Sequence, residues 1–176
     1  MELVDVELKS AKMHWLEKGD PHDDCCVHGN IFLRFGDRIV SDGEAEWTIS
    51  TAAFRLLGTI TREHNENIDD ALIPCCGFNM WPVESAPDGL LIPNCNNGID
   101  WVIQHPAPNL VAHIFPEGRT IHTDIQEWSK AVYGFADPIY EFFQTAWPKN
   151  FYDHESRLGF ELFMNLWKKR RELPTV

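Results

Sequence analysis

The residues best suited to chemistry in this 176-residue chain are its five cysteines and eight histidines. Cys25 and Cys26 precede Val27 and His28, Cys75 and Cys76 form a second adjacent pair, and Cys95 stands between asparagine-rich turns. Residues two apart on a strand face the same way, so Cys26 and His28 would present a sulfur and a nitrogen to one ion. With Cys76 and Cys95 they would make a closed tetrahedral set, the arrangement of a structural zinc. The spacing is not a doubled C-x2-C, and free cysteine packs well as a small hydrophobe. Core packing is therefore the expectation for these thiols, and no cofactor is expected; zinc is the metal the four would take. A thiolate of Cys76 or Cys95 beside His105, His113 or His122 would instead make a nucleophilic pair. The extended segments around those histidines place them on an exposed face. Phosphate-loop, dinucleotide, zinc-protease and serine-hydrolase signatures are all absent from the sequence.

Charge points elsewhere. Fifteen basic against 27 acidic side chains leave a formal net charge of -12, which repels phosphate and argues against nucleic-acid binding. The excess is local: residues 63–118 hold no lysine or arginine, yet carry eight acids among Phe78, Met80, Trp81 and Trp101. Acids accelerate encounter with a basic protein, and aromatic rings supply buried contact energy. The leading expectation is a small acidic non-catalytic protein that occludes a basic protein partner, as an immunity or inhibitor protein does. Asp69, Asp70, Glu84, Asp88 and Asp100 would steer that partner, and Phe78 and Trp81 would anchor it. A Cys/His enzyme or a zinc-stabilised domain is the alternative. No apolar run has the roughly 20 residues that span a bilayer, and the N-terminal stretch does not read as a secretory signal. With an odd cysteine count, a reducing cytoplasm is the expected location.

The elements that must position these groups read as a single α+β domain over residues 1–176, with antiparallel hairpins and a meander and about three helices packed on one side. Alternation marks strands at Leu3–Leu8 and Val27–Phe35, with Gly36 and Asp37 turning into Arg38–Ser41 and a short strand at Trp47–Ile49. The period then lengthens to a helix over Thr51–His64, capped by Ser50. Leu72–Cys76, Leu90–Cys95, Ile99–His105, Leu110–Phe115 and Thr120–Thr123 read as strands. A helix capped by Asp124 runs to Trp147 with a bend at Pro138, and a last helix spans Glu155–Glu172.

Overall fold

The computed structural model describes residues 2–16, 19–67 and 70–172. The chain is an α+β protein. Its strands fall into three antiparallel sheets, the two three-stranded ones being meanders. The first sheet joins β1 (Val6–His14), β2 (His28–Phe35) and β3 (Arg38–Trp47) in that order. The next is a two-residue pairing of β4 (Trp81–Pro82) with β5 (Leu90–Leu91), and the third is β6 (Val102–Ala107), β7 (Leu110–Ile114) and β8 (Thr120–Asp124). A parallel bridge between Leu3 and His122 links the first and third sheets, with the Val4 N–H donating to the His122 carbonyl at 3.1 Å.

Helix α1 (Ile49–Gly58) lies at the centre, and every one of its ten residues is buried. It packs against β2, α2 (Ile125–Gln144) and α3 (His154–Glu172), so no side of it is left to solvent. It begins at Ile49 and ends at Gly58, not at Thr51 and His64 as the periodicity implies. Thr48 is the N-cap residue but its hydroxyl does not cap the helix, donating instead to the Cys75 carbonyl at 3.3 Å; the Ser50 hydroxyl accepts from the Val27 N–H at 3.0 Å and ties the helix to the chain leading into β2. Trp47 closes β3 while Ile49 already belongs to the helix, so no separate strand lies between them.

Helix α2 matches its N-terminal signal but ends at Gln144, short of the expected Trp147. The Asp124 carboxylate accepts from the Gln126 N–H at 2.7 Å, and Pro138 lies inside the helix without ending it. Asp153 does the same for α3 through the Ser156 N–H at 2.7 Å. Between α2 and α3, Phe143, Phe160, Phe163 and Trp167 meet edge-to-face and stacked. Between the sheets and α2, Phe35 packs on His113, with ring centroids 4.3 Å apart, and on Trp101, Phe115 and Trp128.

His113 is therefore wholly buried, contrary to an exposed-face placement. Val111 and Ala112 before it on β7 are buried as well and Ile114 is partly so, so simple alternation fails there. The ring pairs on both nitrogens: Trp101 Nε1 donates to Nδ1 at 3.2 Å, so Nε2 carries the proton and donates to the Thr123 hydroxyl at 3.0 Å. Burial pushes its pKa down to about 3.

Candidate functional site

The segment 70–100 departs most from strand expectations. Residues 72–76 form no strand beyond one antiparallel bridge, Ile73 to Ile99, and only Leu90–Leu91 of the second run pairs as one. Arg55, projecting from α1, organises this region. Its side chain is 6% exposed, and burial lowers its pKa. The guanidinium donates to the Ala71 carbonyl at 2.6 Å, the Asn94 side chain at 2.8 Å and the Ile92 carbonyl at 2.8 Å, and its Nε lies 2.8 Å from Asp70. A buried cation paired this fully takes the carbonyls a sheet ladder would otherwise use.

The acids proposed for steering go to different places. Asp70 pairs with Arg55, while Asp88 meets Arg62 at 2.9 Å and Arg170 at 2.8 Å. Burial would raise the Asp88 carboxyl, but the two guanidinium groups outweigh it and hold it below the usual range. Asp100 is largely buried and accepts from the Asn67 N–H at 2.9 Å, the Leu72 N–H at 3.0 Å and His64 Nε2 at 2.9 Å. Glu84 is exposed, and Asp69 lies outside the described residues.

Phe78 and Trp81, the proposed anchors, are 50% and 42% exposed. They border a cleft of about 320 Å³ whose opposite wall comes from far away in sequence: Asp20, Asp23, Asp24 and Tyr152, over a floor that includes Phe160. Tyr152 is fully exposed, whereas Phe160 is buried and packs on Phe151 with centroids 5.6 Å apart. The acidic turn is held on the segment after α2 by four bonds. His22 Nδ1 meets the Pro148 carbonyl at 2.7 Å, and the Asn150 N–H donates to the His22 carbonyl at 2.8 Å. Asn150 Nδ2 donates to Asp23 Oδ1 at 2.9 Å, and Lys149 Nζ donates to the Pro21 carbonyl at 2.9 Å.

Asp24 is used inside, accepting from the Leu16 and Cys26 N–H groups, each at 2.9 Å. Asp20 and Asp23 are exposed, and each spends one oxygen on the turn, Asp20 on the His22 N–H. The ammonium of Lys149 sits 3.6 Å from the centre of the Trp15 ring, and burial lowers its pKa. A cation stacked on an aromatic ring beside carboxylates is thus already present next to this cleft.

The other wall depends on one close approach. A Cβ on Gly159 would lie 1.8 Å from the Met80 carbonyl oxygen, so only glycine lets α3 touch the Met80–Trp81 backbone. Trp81 then pairs across the small sheet with Leu91, and both side chains stand exposed on it.

The four zinc candidates are placed in three settings. The Cys26 thiol is fully buried and donates to the Gly77 carbonyl at 3.9 Å, and burial pushes its pKa well up. His28 Nε2 lies 3.7 Å from Asp24, while its ring faces His14, which approaches Glu46 at 3.5 Å. Burial lowers the His28 pKa against the pull of Asp24. Cys76 and Cys95 do come together, with the Cys95 N–H donating to Cys76 Sγ at 2.8 Å, and Cys75 joins them. Among the described residues, no group of three or more His, Cys, Asp or Glu is disposed to hold a metal ion. His105 and His122 are partly exposed, and the His105 ring bonds the Thr59 carbonyl at 2.9 Å.

No family model, curated relative or solved structure matches this chain. Function must therefore be argued from the site itself. No described helix is long and apolar enough to cross a membrane. The cleft's far wall was invisible in the sequence because it is joined to residues 148–150 by bonds between positions more than 120 residues apart. Contacts of that range leave no local periodicity, so no signal in the sequence joins Asp20 and Asp23 to 147–150.

Proposed function

We propose that the protein is a binding protein that seats a lysine or arginine side chain of a basic protein partner in the cleft between Trp81 and the 20–24 turn, with no chemistry at that cleft. It would act by occlusion, as an immunity or inhibitor protein does. The observation that carries this reading is the combination of exposed Phe78, Trp81 and Tyr152 with the exposed carboxylates of Asp20 and Asp23 around one opening. Rings attract a cation over their faces, and carboxylates neutralise it. The same wall repels phosphate, so neither nucleic acid nor an anionic membrane surface is the proposed partner. Five free thiols fit action in a reducing cytoplasm.

Calorimetric titration with a twelve-residue peptide alternating glycine with lysine and arginine, against its glutamate counterpart, tests the proposal. Binding of the basic peptide alone is expected, weakening roughly tenfold or more in Asp20→Asn/Asp23→Asn and in Trp81→Ala. Equal binding of both peptides, or affinity indifferent to Trp81, would overturn it.

A further inference from the structure

Away from the cleft opening, three of the five cysteines converge where two loops run side by side. The loops are registered by the Ile73–Ile99 bridge, closed from both ends by N–H to carbonyl bonds of 3.0 and 2.9 Å. Gly98 permits the approach, since a Cβ there would lie 2.7 Å from the Ala71 Cβ. Arg55 holds Ala71 of one loop and Ile92 and Asn94 of the other. Counting outward from the bridge, Cys75 and Cys76 follow Ile73 while Cys95 precedes Ile99, so the antiparallel run sets the thiols opposite one another.

The contacts within the group are directional. The Cys95 N–H points at Cys76 Sγ at 2.8 Å, and Cys75 precedes Cys76 in the same loop. Cys75 is exposed, and Cys76 and Cys95 are half-buried, so solvent reaches the group. Core-forming thiols do not look like this: Cys26 in the same molecule is sealed among apolar neighbours.

We propose that Cys75, Cys76 and Cys95 form a redox site that reduces a hydroperoxide, with Cys95 as the attacking sulfur and Cys75 or Cys76 as the resolving thiol. The Cys95 thiolate attacks one peroxide oxygen, forming an S–O bond and breaking the O–O bond; the displaced oxygen takes a proton and leaves as water or an alcohol. The Cys76 or Cys75 sulfur, losing its proton, then attacks the Cys95 sulfur, forming the disulfide and breaking the S–O bond, and a second water leaves. Two thiols lose two electrons and the peroxide gains them. The Asn97 N–H, then the Cys76 and Cys75 thiols, stabilise negative charge on Cys95 and lower its pKa, whereas burial pushes Cys25 up to about 11. Cys25 is thereby an internal control for general thiol oxidation. The site shares no residue with the cleft wall, so this inference stands apart from the binding reading.

The reduced full-length protein, treated with one to ten equivalents of hydrogen peroxide and then alkylated, provides the test by mass spectrometry. No lysine or arginine separates the three cysteines, so trypsin leaves them in one peptide; chymotryptic cleavage after Phe78 separates Cys75 and Cys76 from Cys95. A disulfide-linked pair of those peptides is expected, formed roughly tenfold or more faster than Cys25 is lost. Cys75→Ser and Cys76→Ser should each still form the bridge through the remaining thiol, and Cys95→Ser should form none, with unchanged far-ultraviolet circular dichroism in all three. Cys95 halting as sulfinic acid while Cys75 and Cys76 stay alkylatable would overturn the proposal, as would bridging between molecules only, or no thiol loss beyond that of Cys25.

Discussion

Two buried polar side chains show how single residues hold this molecule, and each gives a measurable expectation. His113 is neutral in the folded state, with a pKa pushed down to about 3 by burial, against about 6.5 when unfolded. Below the unfolded value the unfolded chain binds a proton that the folded ring refuses. The contribution is therefore complete above about pH 6.5 and is lost as pH falls toward 3, at up to about 1.4 kcal/mol per pH unit. Urea unfolding of the protein and of His113→Gln at pH 6 and pH 4 should differ in pH slope by about one proton; parallel slopes would remove the assignment. Asp100 acts by geometry. Its two oxygens collect N–H groups from Asn67 and Leu72 as well as His64, pinning those three residues beside Trp101. Asp100→Asn can accept on only one oxygen, leaving a backbone donor unpaired, so a loss of about 1–3 kcal/mol is expected. Unchanged thermal unfolding would refute this clamp.

At the scale of elements, legibility followed locality. The β2–β3 hairpin, α2 and α3 were readable because each carries its own signals within a few residues: Gly36 and Asp37 at the turn, Asp124 at the cap, and a regular apolar stripe in α3. Helix α1 was misplaced at both ends because burial on every side erases the amphipathic edge that periodicity measures. Leu72–Cys76 and Leu90–Cys95 were read as strands, but Arg55 from another element takes the carbonyls of Ala71 and Ile92. The candidate site was half legible for the same reason: Phe78 and Trp81 stand in a turn-rich stretch, whereas Tyr152 and the acidic turn arrive by tertiary packing. The junction of α3 with β4 carries its own prediction. Gly159→Ala would place a methyl 1.8 Å from the Met80 carbonyl oxygen, inside any allowed contact. The helix is the rigid partner, so the Phe78–Trp81 loop should yield, shifting tryptophan emission and weakening basic-peptide binding roughly tenfold while helical content stays constant. Wild-type affinity in Gly159→Ala would mean that this loop does not form the recognition wall.

For the whole molecule, the distribution of charge in sequence and in space differ, and the difference sorts the acids by task. Residues 63–118 contain eight acids and no lysine or arginine, yet Arg55 and Arg62 from before the stretch and Arg170 from after it enter to neutralise Asp70 and Asp88. Arg170 itself is well buried, donates to the Phe54 carbonyl at 2.7 Å and lies 3.8 Å from that ring's centre, and burial lowers its pKa to about 10. Asp88 holds this cation from a backbone φ of 56°, a region asparagine also tolerates. Asp88→Asn therefore removes charge without backbone strain and should cost about 1–3 kcal/mol, a fall in Tm of roughly 3–9 °C, with basic-peptide affinity preserved. Asp23→Asn keeps an oxygen for Asn150, so its Tm should stay within about 1–2 °C while peptide affinity falls and its salt dependence flattens. This crossed pair separates acids that hold the fold from acids that meet a partner. If both variants lost affinity equally, recognition would follow from net charge alone and the cleft would have no special role.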